Sequence, residues 1–319
     1  MIKRRYDKSP LSFEEQLALI KKRGLTVEDD AKALSYLQAI SYYRLSAYFL
    51  PYQKQKDQFN HGTTFKQIIR TYTFDRELRL LVFDCIDRIE VAIRTQFIYS
   101  MSLTYNDTHW HDKKAYFVNP YYNKIGMLVD PYSDFQAIIS RAKTAQRPEV
   151  FIKHYMDTYD RPSNPPSWMC LELLTIGELS HIYRGLADNR DKKRIADFFD
   201  VHHKVFTSWL HTLTYVRNIC AHHSRLWNRD LAIVPDRIIK AKGPWLETTF
   251  ENNKRVFYFL SILKYLLNRA NSGNHLKNKI EALFNKYPTV PIQFLGIPSD
   301  EHGNLLDWKE QPLWKHTTT

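Results

Sequence analysis

Apolar residues recur at helical spacing through most of the chain, with few places where the pattern stops. The longest stretch runs from Phe65 to about Ser102 and puts Phe74, Leu78, Leu81, Val82, Cys85, Ile89, Ala92, Ile93 and Phe97 on one face. Its other side is charged, and Glu90 and Arg94, four apart, are placed to pair as a solvated ion pair. Ahead of it, Ser12 with Glu15 makes a capping box for a helix that stops at Gly24, and Thr26 caps a second helix. The aromatic run SYYRLSAYFLPY at 41–52 follows, with Tyr42, Tyr43, Arg44 and Tyr48 read mainly as core or interface. The polar segment 53–64 is the first candidate boundary, and residues 103–134 read as an irregular connection.

Helices are then expected from Asp134, from Pro148, and as a pair around Gly177, the last after the Pro-rich turn 161–167. Val256, Phe259, Leu260, Leu263 and Leu267 form one more core stripe before Gly273. A shorter helix follows, and the segment from Pro288 reads as irregular. Between these lies WLHTLTYVRNICAHHSRLWNR, residues 209–229, free of Gly and Pro. Trp209, Leu213, Val216 and Cys220 make its core stripe, and His211, Tyr215, Asn218 and His222 occupy the opposite one. Solvated helix faces are mostly Glu, Lys, Gln and Arg, so a face of His, Tyr, Asn and His with Arg217 on its flank points to a site.

Composition narrows the class. Only 9 Gly in 319 residues disfavours a turn-rich β fold, so the chain is expected to be all-α. The net charge of +12 favours an anionic partner such as nucleic acid. Cys85, Cys170 and Cys220 are few, widely spaced and odd in number, and two of them sit in apolar helical stripes, as reduced core thiols of a cytoplasmic protein would. No apolar leader or membrane-length run is seen, and neither a membrane nor a cofactor is expected.

The run from Arg217 to His222 has the form R-N-x-x-x-H and resembles the R-x(4–6)-H motif of HEPN-domain RNases. The wider context RNICAHHSRLWNR is similar to the Abi-like (AbiD/AbiF) branch, bacterial proteins linked to abortive infection. SYYRLSAYFLPY, FDRELRLLVFDCIDRIEVAIRTQ and PPSWMCLELLTIGELSHIY agree with it in order, so the resemblance covers roughly residues 10 to 300. It implies a HEPN-like bundle over 61–287 behind a small N-terminal helical unit, 1–60, with an irregular tail at 288–319. It also implies a metal-independent endoribonuclease whose active site forms across a symmetric homodimer.

The residue types suit that chemistry. RNA cleavage by the 2′-hydroxyl needs proton transfer near neutral pH, which His supplies, and a permanent bidentate cation at the phosphate, which Arg supplies. Arg217, Asn218 and His222 are therefore the expected catalytic residues. Arg217 and His222, five apart, lie about 140° from each other on an ideal helix, so one helix alone converges them poorly. His223 falls in the same motif window, and His222 is preferred because it shares a face with Asn218. Arg225 and Arg229 extend the positive charge and are expected to contact RNA. Glu172, among apolar neighbours, is expected to be partly buried and paired with Arg217, and Arg94 is a supporting candidate. The basic run 189–194 is a further phosphate contact or an ordinary charged surface.

Two other readings compete. One is a protein that binds RNA without cutting it, such as a structured noncoding RNA partner. The other is a metal hydrolase using the His202-His203 and His222-His223 pairs, disfavoured because adjacent His side chains diverge by about 100° on a helix. His109 and His111 in the HWHD run read as surface residues.

Overall fold

The computed structural model describes residues 9–315, and these form thirteen α-helices, short 3-10 turns and two two-stranded sheets. They make two compact units: one contains the residues up to Arg79 together with Ile280–Ile292, the other Leu80–Lys279 and the residues from Gln293. The all-α expectation holds. The long helix α4, Phe65–Tyr105, starts in the first unit and ends in the second.

In the first unit, α1 (Phe13–Lys22) carries the expected box, with the Ser12 N–H donating to Glu15 at 2.7 Å. Helix α2 (Asp30–Ile40) is capped by Asp29, not Thr26. Thr26 lies in extended backbone, pairs with Thr64 and donates its N–H to the Thr63 carbonyl at 2.9 Å. After α3 (Tyr42–Ser46), strands β1 (Gln53–Gln55) and β2 (Gln58–Phe59) make a small hairpin where the polar break was read. Leu17, Ile20, Leu37, Leu45, Phe49, Ile68 and Phe74 fill the core. Tyr48 is buried there as expected, and its hydroxyl donates to Asp75 at 2.6 Å while Asp75 also pairs with buried Arg79. Burial and the Asp75 charge push the Tyr48 hydroxyl well above its ordinary range, so it stays a donor. The end of α12 (Leu276–Lys286) is held by Lys286 on Glu77 at 2.8 Å and by Phe284 against Phe74.

In the second unit the α4 stripe is buried from Val82 through Cys85, Ile89 and Ile93 to Phe97. Residues 103–134 hold 3-10 turns and the two short strands β3 (Tyr121–Tyr122) and β4 (Leu128–Val129). Helix α5 (Pro131–Thr144) begins three residues before the sequence suggests, because Asp130 caps it with Pro131 in the first turn. Helix α6 (Val150–Thr158) follows. The expected pair around Gly177 is α7 (Ser167–Cys170), a 3-10 turn over Leu171–Leu173, and α8 (Ile176–Gly185). Its break is at Leu174, since Thr175 and Glu178 form a capping box that places Gly177 in the first turn of α8.

Helix α9 (Asn189–Asp197) leads to α10 (His203–Ala221). Ring contacts run from Trp110 to Phe97, Tyr183, Phe206 and Phe199, tying α4, α8 and α10 into one core. Helix α11 (Val256–Ala270) is buried on every side from Val256 to Leu267, as its unbroken apolar run requires. The segment from Gln293 consists of short turns and α13 (Pro312–Lys315), yet it is pinned: Trp314 stacks on Phe257 and donates to the Ser261 hydroxyl at 3.2 Å. Among the described residues no helix is long and apolar enough to cross a membrane.

Candidate functional site at the end of α10

Helix α10 begins earlier than its core stripe, at a His202 cap, and ends earlier than Arg229. Trp209, Leu213, Val216 and Cys220 are buried as expected, while His211, Asn218 and His222 are exposed and Tyr215 is half-buried. The helix ends in a Schellman turn. His223 lies in the left-handed region at φ 56°, its N–H donates to the Cys220 carbonyl at 3.1 Å, and the Ser224 N–H reaches the Ile219 carbonyl at 3.0 Å. No glycine marks this end, so the sequence pattern runs through it. Buried Leu226 and Trp227 then hold the following loop in the core, with Trp227 edge-on to Phe294.

His222 is the C-cap, and its N–H still donates to the Asn218 carbonyl at 2.9 Å. That bond keeps its backbone on the helical path, so Asn218 and His222 remain on one face. His223 leaves that path through its left-handed turn. Neither the Asn218 nor the His222 side chain has a hydrogen-bond partner among the described residues.

Arg217 is directed elsewhere. Its guanidinium lies over the Phe83 ring of α4, 5.6 Å from the centroid, and its charge acts on Glu90, about two turns further along that helix. It forms no salt bridge among the described residues. Five positions separate it from His222, so the chain does not by itself bring guanidinium and imidazole onto one face.

Glu172 departs from expectation. It is exposed, on the 3-10 turn, and pairs at 3.4 Å with Arg94, not with Arg217. Helical neighbour counting fails there because α7 lasts one turn and the tighter coil after it rotates Glu172 outward. Arg94 is the organiser: it pairs with Glu90 at 2.8 Å, donates to the Leu174 carbonyl at 2.8 Å, and is only 11% exposed. The Glu90–Arg94 pair is thus mostly buried, not solvated. Burial raises the Glu90 pKa, with Arg94 and Arg217 opposing, so Glu90 is the residue near Arg217 that the sequence left as an ordinary surface partner.

Arg225 and Arg229 lie past the helix in the loop, where the Arg229 Nε donates to the Arg225 carbonyl at 2.5 Å. Among the described residues no three His, Cys, Asp or Glu side chains gather as metal ligands. His111 is fully buried, contrary to its surface reading, and stands against Trp110 and Phe135. The three cysteines are buried and form no disulfide among the described residues, and burial pushes the Cys85 and Cys170 thiols up to about 12.

Compared with protein families, the chain matches the Abi-like protein family over residues 35–228. The chain belongs to that family. No curated protein and no solved structure matches it.

Proposed function

We propose that the protein is a metal-independent endoribonuclease of the HEPN type that acts in the cytoplasm during abortive infection. The observation that supports this best is the exposed end of α10 in an Abi-like chain. There Asn218 and His222 stand on one face with unengaged side chains, and the Arg217 guanidinium, directed away from them over Phe83, forms no salt bridge among the described residues. In this reading His222 exchanges a proton with the RNA 2′-hydroxyl or the leaving 5′-oxygen, as an imidazole can near neutral pH. The 2′-oxygen forms its bond to phosphorus while the bond to the 5′-oxygen breaks. Arg217 meets the charge that builds on the phosphate, and Asn218 hydrogen-bonds the substrate.

Arg217 and His222 diverge within one chain, so the reading includes a homodimer in which a second α10 end completes the site. Arg94 and Glu90 position the wall that Arg217 lies against. Cleavage that persists in EDTA and leaves a 2′,3′-cyclic phosphate with a 5′-hydroxyl tests it, as does the survival of DNA. The same divergence favours a second reading, in which the monomer grips a structured RNA without cutting it. His222→Ala would then leave RNA handling unchanged.

A further inference from the structure

Helices α2 and α4 start close together in the first unit. Thr26 pairs with Thr64, and its carbonyl accepts the Phe65 N–H at 2.8 Å. Each helix start is then fixed by its own cap: Asp29 accepts the Lys32 N–H at 2.9 Å, while the Thr64 hydroxyl oxygen accepts the Gln67 N–H at 3.2 Å and the Gln67 side chain returns to the Thr64 N–H at 2.9 Å. Residues 26–36 and 64–73 diverge from this tie around a cavity of about 450 Å³, to which Tyr287 adds its side chain. That volume suits a small organic molecule.

On α4, Phe65, Ile69 and Thr73 follow one another at intervals of four, and Lys66 and Arg70 form the flank of the same face, so the helix offers the cavity an apolar strip beside a basic one. Phe65 is buried, and its ring centre lies 6.3 Å from that of half-buried Tyr36 on α2, which gives an aromatic wall. Tyr287 presents its ring, since its hydroxyl already donates to Glu77 at 2.7 Å. Arg70 is half-buried and forms no salt bridge among the described residues; its Nη2 reaches the Lys286 carbonyl only at 3.5 Å, and its Nε is shielded from solvent with no hydrogen-bond partner among those residues. Arg94, whose Nε is also shielded, spends its other nitrogens on Glu90, Glu172 and the Leu174 carbonyl. Arg70 has one long bond and a cavity beside it. The exposed residues at the cavity carry both signs, Glu28 and Asp29 with Lys32 and Lys66, so the lining is neither a plain anion trap nor an apolar slot.

We propose that this cavity binds a nucleoside monophosphate, with its base against the Tyr36–Phe65 wall and its phosphate on Arg70. A flat ring, polar edges and one phosphate match an aromatic wall, a mixed rim and a guanidinium whose planar fork holds two oxygens at once. Phe65 and Arg70 are five residues apart, a rise of roughly 7.5 Å, close to the distance from base to phosphate in one nucleotide. The Thr73 hydroxyl donates to the Ile69 carbonyl at 2.8 Å and keeps its oxygen as an acceptor for a ribose hydroxyl. The site rests on the first unit alone and is independent of the reading of α10.

The test is isothermal titration of the full chain with AMP, GMP, CMP and UMP, and with adenosine and inorganic phosphate as separate probes. We expect at least one nucleotide to bind once per chain, about tenfold or more tighter than adenosine or phosphate alone. Arg70→Gln should weaken it about ten- to hundredfold, the worth of a charged hydrogen bond, and leave adenosine unchanged. Tyr36→Ala should weaken nucleotide and adenosine by the same factor. Lys66→Glu changes an exposed side chain and so spares the fold; it should weaken the nucleotide and not adenosine, whereas Lys56→Glu, exposed on the same unit but outside the cavity, should change neither. Failure of all four nucleotides to bind at about 5 mM overturns the site, as does affinity that Arg70→Gln, Lys66→Glu and Tyr36→Ala all leave intact. Nucleotide binding no tighter than inorganic phosphate reduces the cavity to an anion site and overturns the ligand class. An oligouridylate that binds through these residues when no mononucleotide does overturns it in favour of a polynucleotide.

Discussion

The Arg217 guanidinium lies 5.6 Å from the centre of the Phe83 ring, so the expected phosphate-binding cation is held by an aromatic face and not by a carboxylate. A carboxylate would compete with phosphate for the same bidentate donors, whereas a ring fixes the plane of the group and leaves its edge open. Glu90 acts on it at longer range and is already paired with Arg94.

Phe83→Leu should therefore weaken RNA turnover about two- to fivefold, the size of a cation–π contact at an exposed site, with little loss of stability because Phe83 is itself exposed. Single-turnover cleavage assays measure it. Unchanged rates would mean that the ring does not orient Arg217.

His222→Ala should lower cleavage about 10²–10⁴-fold, the usual loss for a positioned acid or base, with a melting temperature close to that of the parent. Arg217→Ala should be at least as damaging, and His223→Ala milder. If His223→Ala abolishes cleavage and His222→Ala does not, the proton is carried by the residue in the left-handed turn.

Asp75→Ala should destabilise the first unit by about 3–5 kcal/mol, since it removes one member of a buried ion pair and the carboxylate to which the Tyr48 hydroxyl donates. Urea denaturation measures this. A loss below about 1 kcal/mol would show that the charge escapes to water.

His111 gives the fold an acid-sensitive point. Burial drives its pKa down to about 4, with Asp112 at 3.6 Å opposing, while an unfolded His titrates near 6.5. The unfolded chain thus binds the proton first. Stability is fully present above about pH 6.5 and falls as pH drops toward 4, by on the order of 3 kcal/mol. Urea midpoints recorded across that range should slope less in His111→Leu, and equal slopes in both proteins would refute the assignment.

Long helices were readable where side chains alternate cleanly, as from Phe74 to Phe97, because the stripe that the sequence shows is the stripe that is buried. Ends were harder. Both Thr26 and Asp29 can cap a helix, and only the pairing of Thr26 with residues 63 and 64 leaves the role to Asp29. Glu172 was misread since periodicity presumes an α-helix where the backbone is 3-10. At the site, the shared face of Asn218 and His222 was legible from spacing. The Phe83 contact was not, because it joins residues 134 positions apart (217 − 83), and no local pattern carries it.

The left-handed turn at His223 has a meaning for how this chain can change. An L-residue in that conformation costs about 1–2 kcal/mol, and glycine would remove the cost but give back roughly 0.5–1 kcal/mol through its freer unfolded chain. On backbone grounds alone, exchanging His223 for glycine is thus worth about 1 kcal/mol or less, so a drift toward glycine there would register less in the turn than in the side chain it removes from the exposed end of α10.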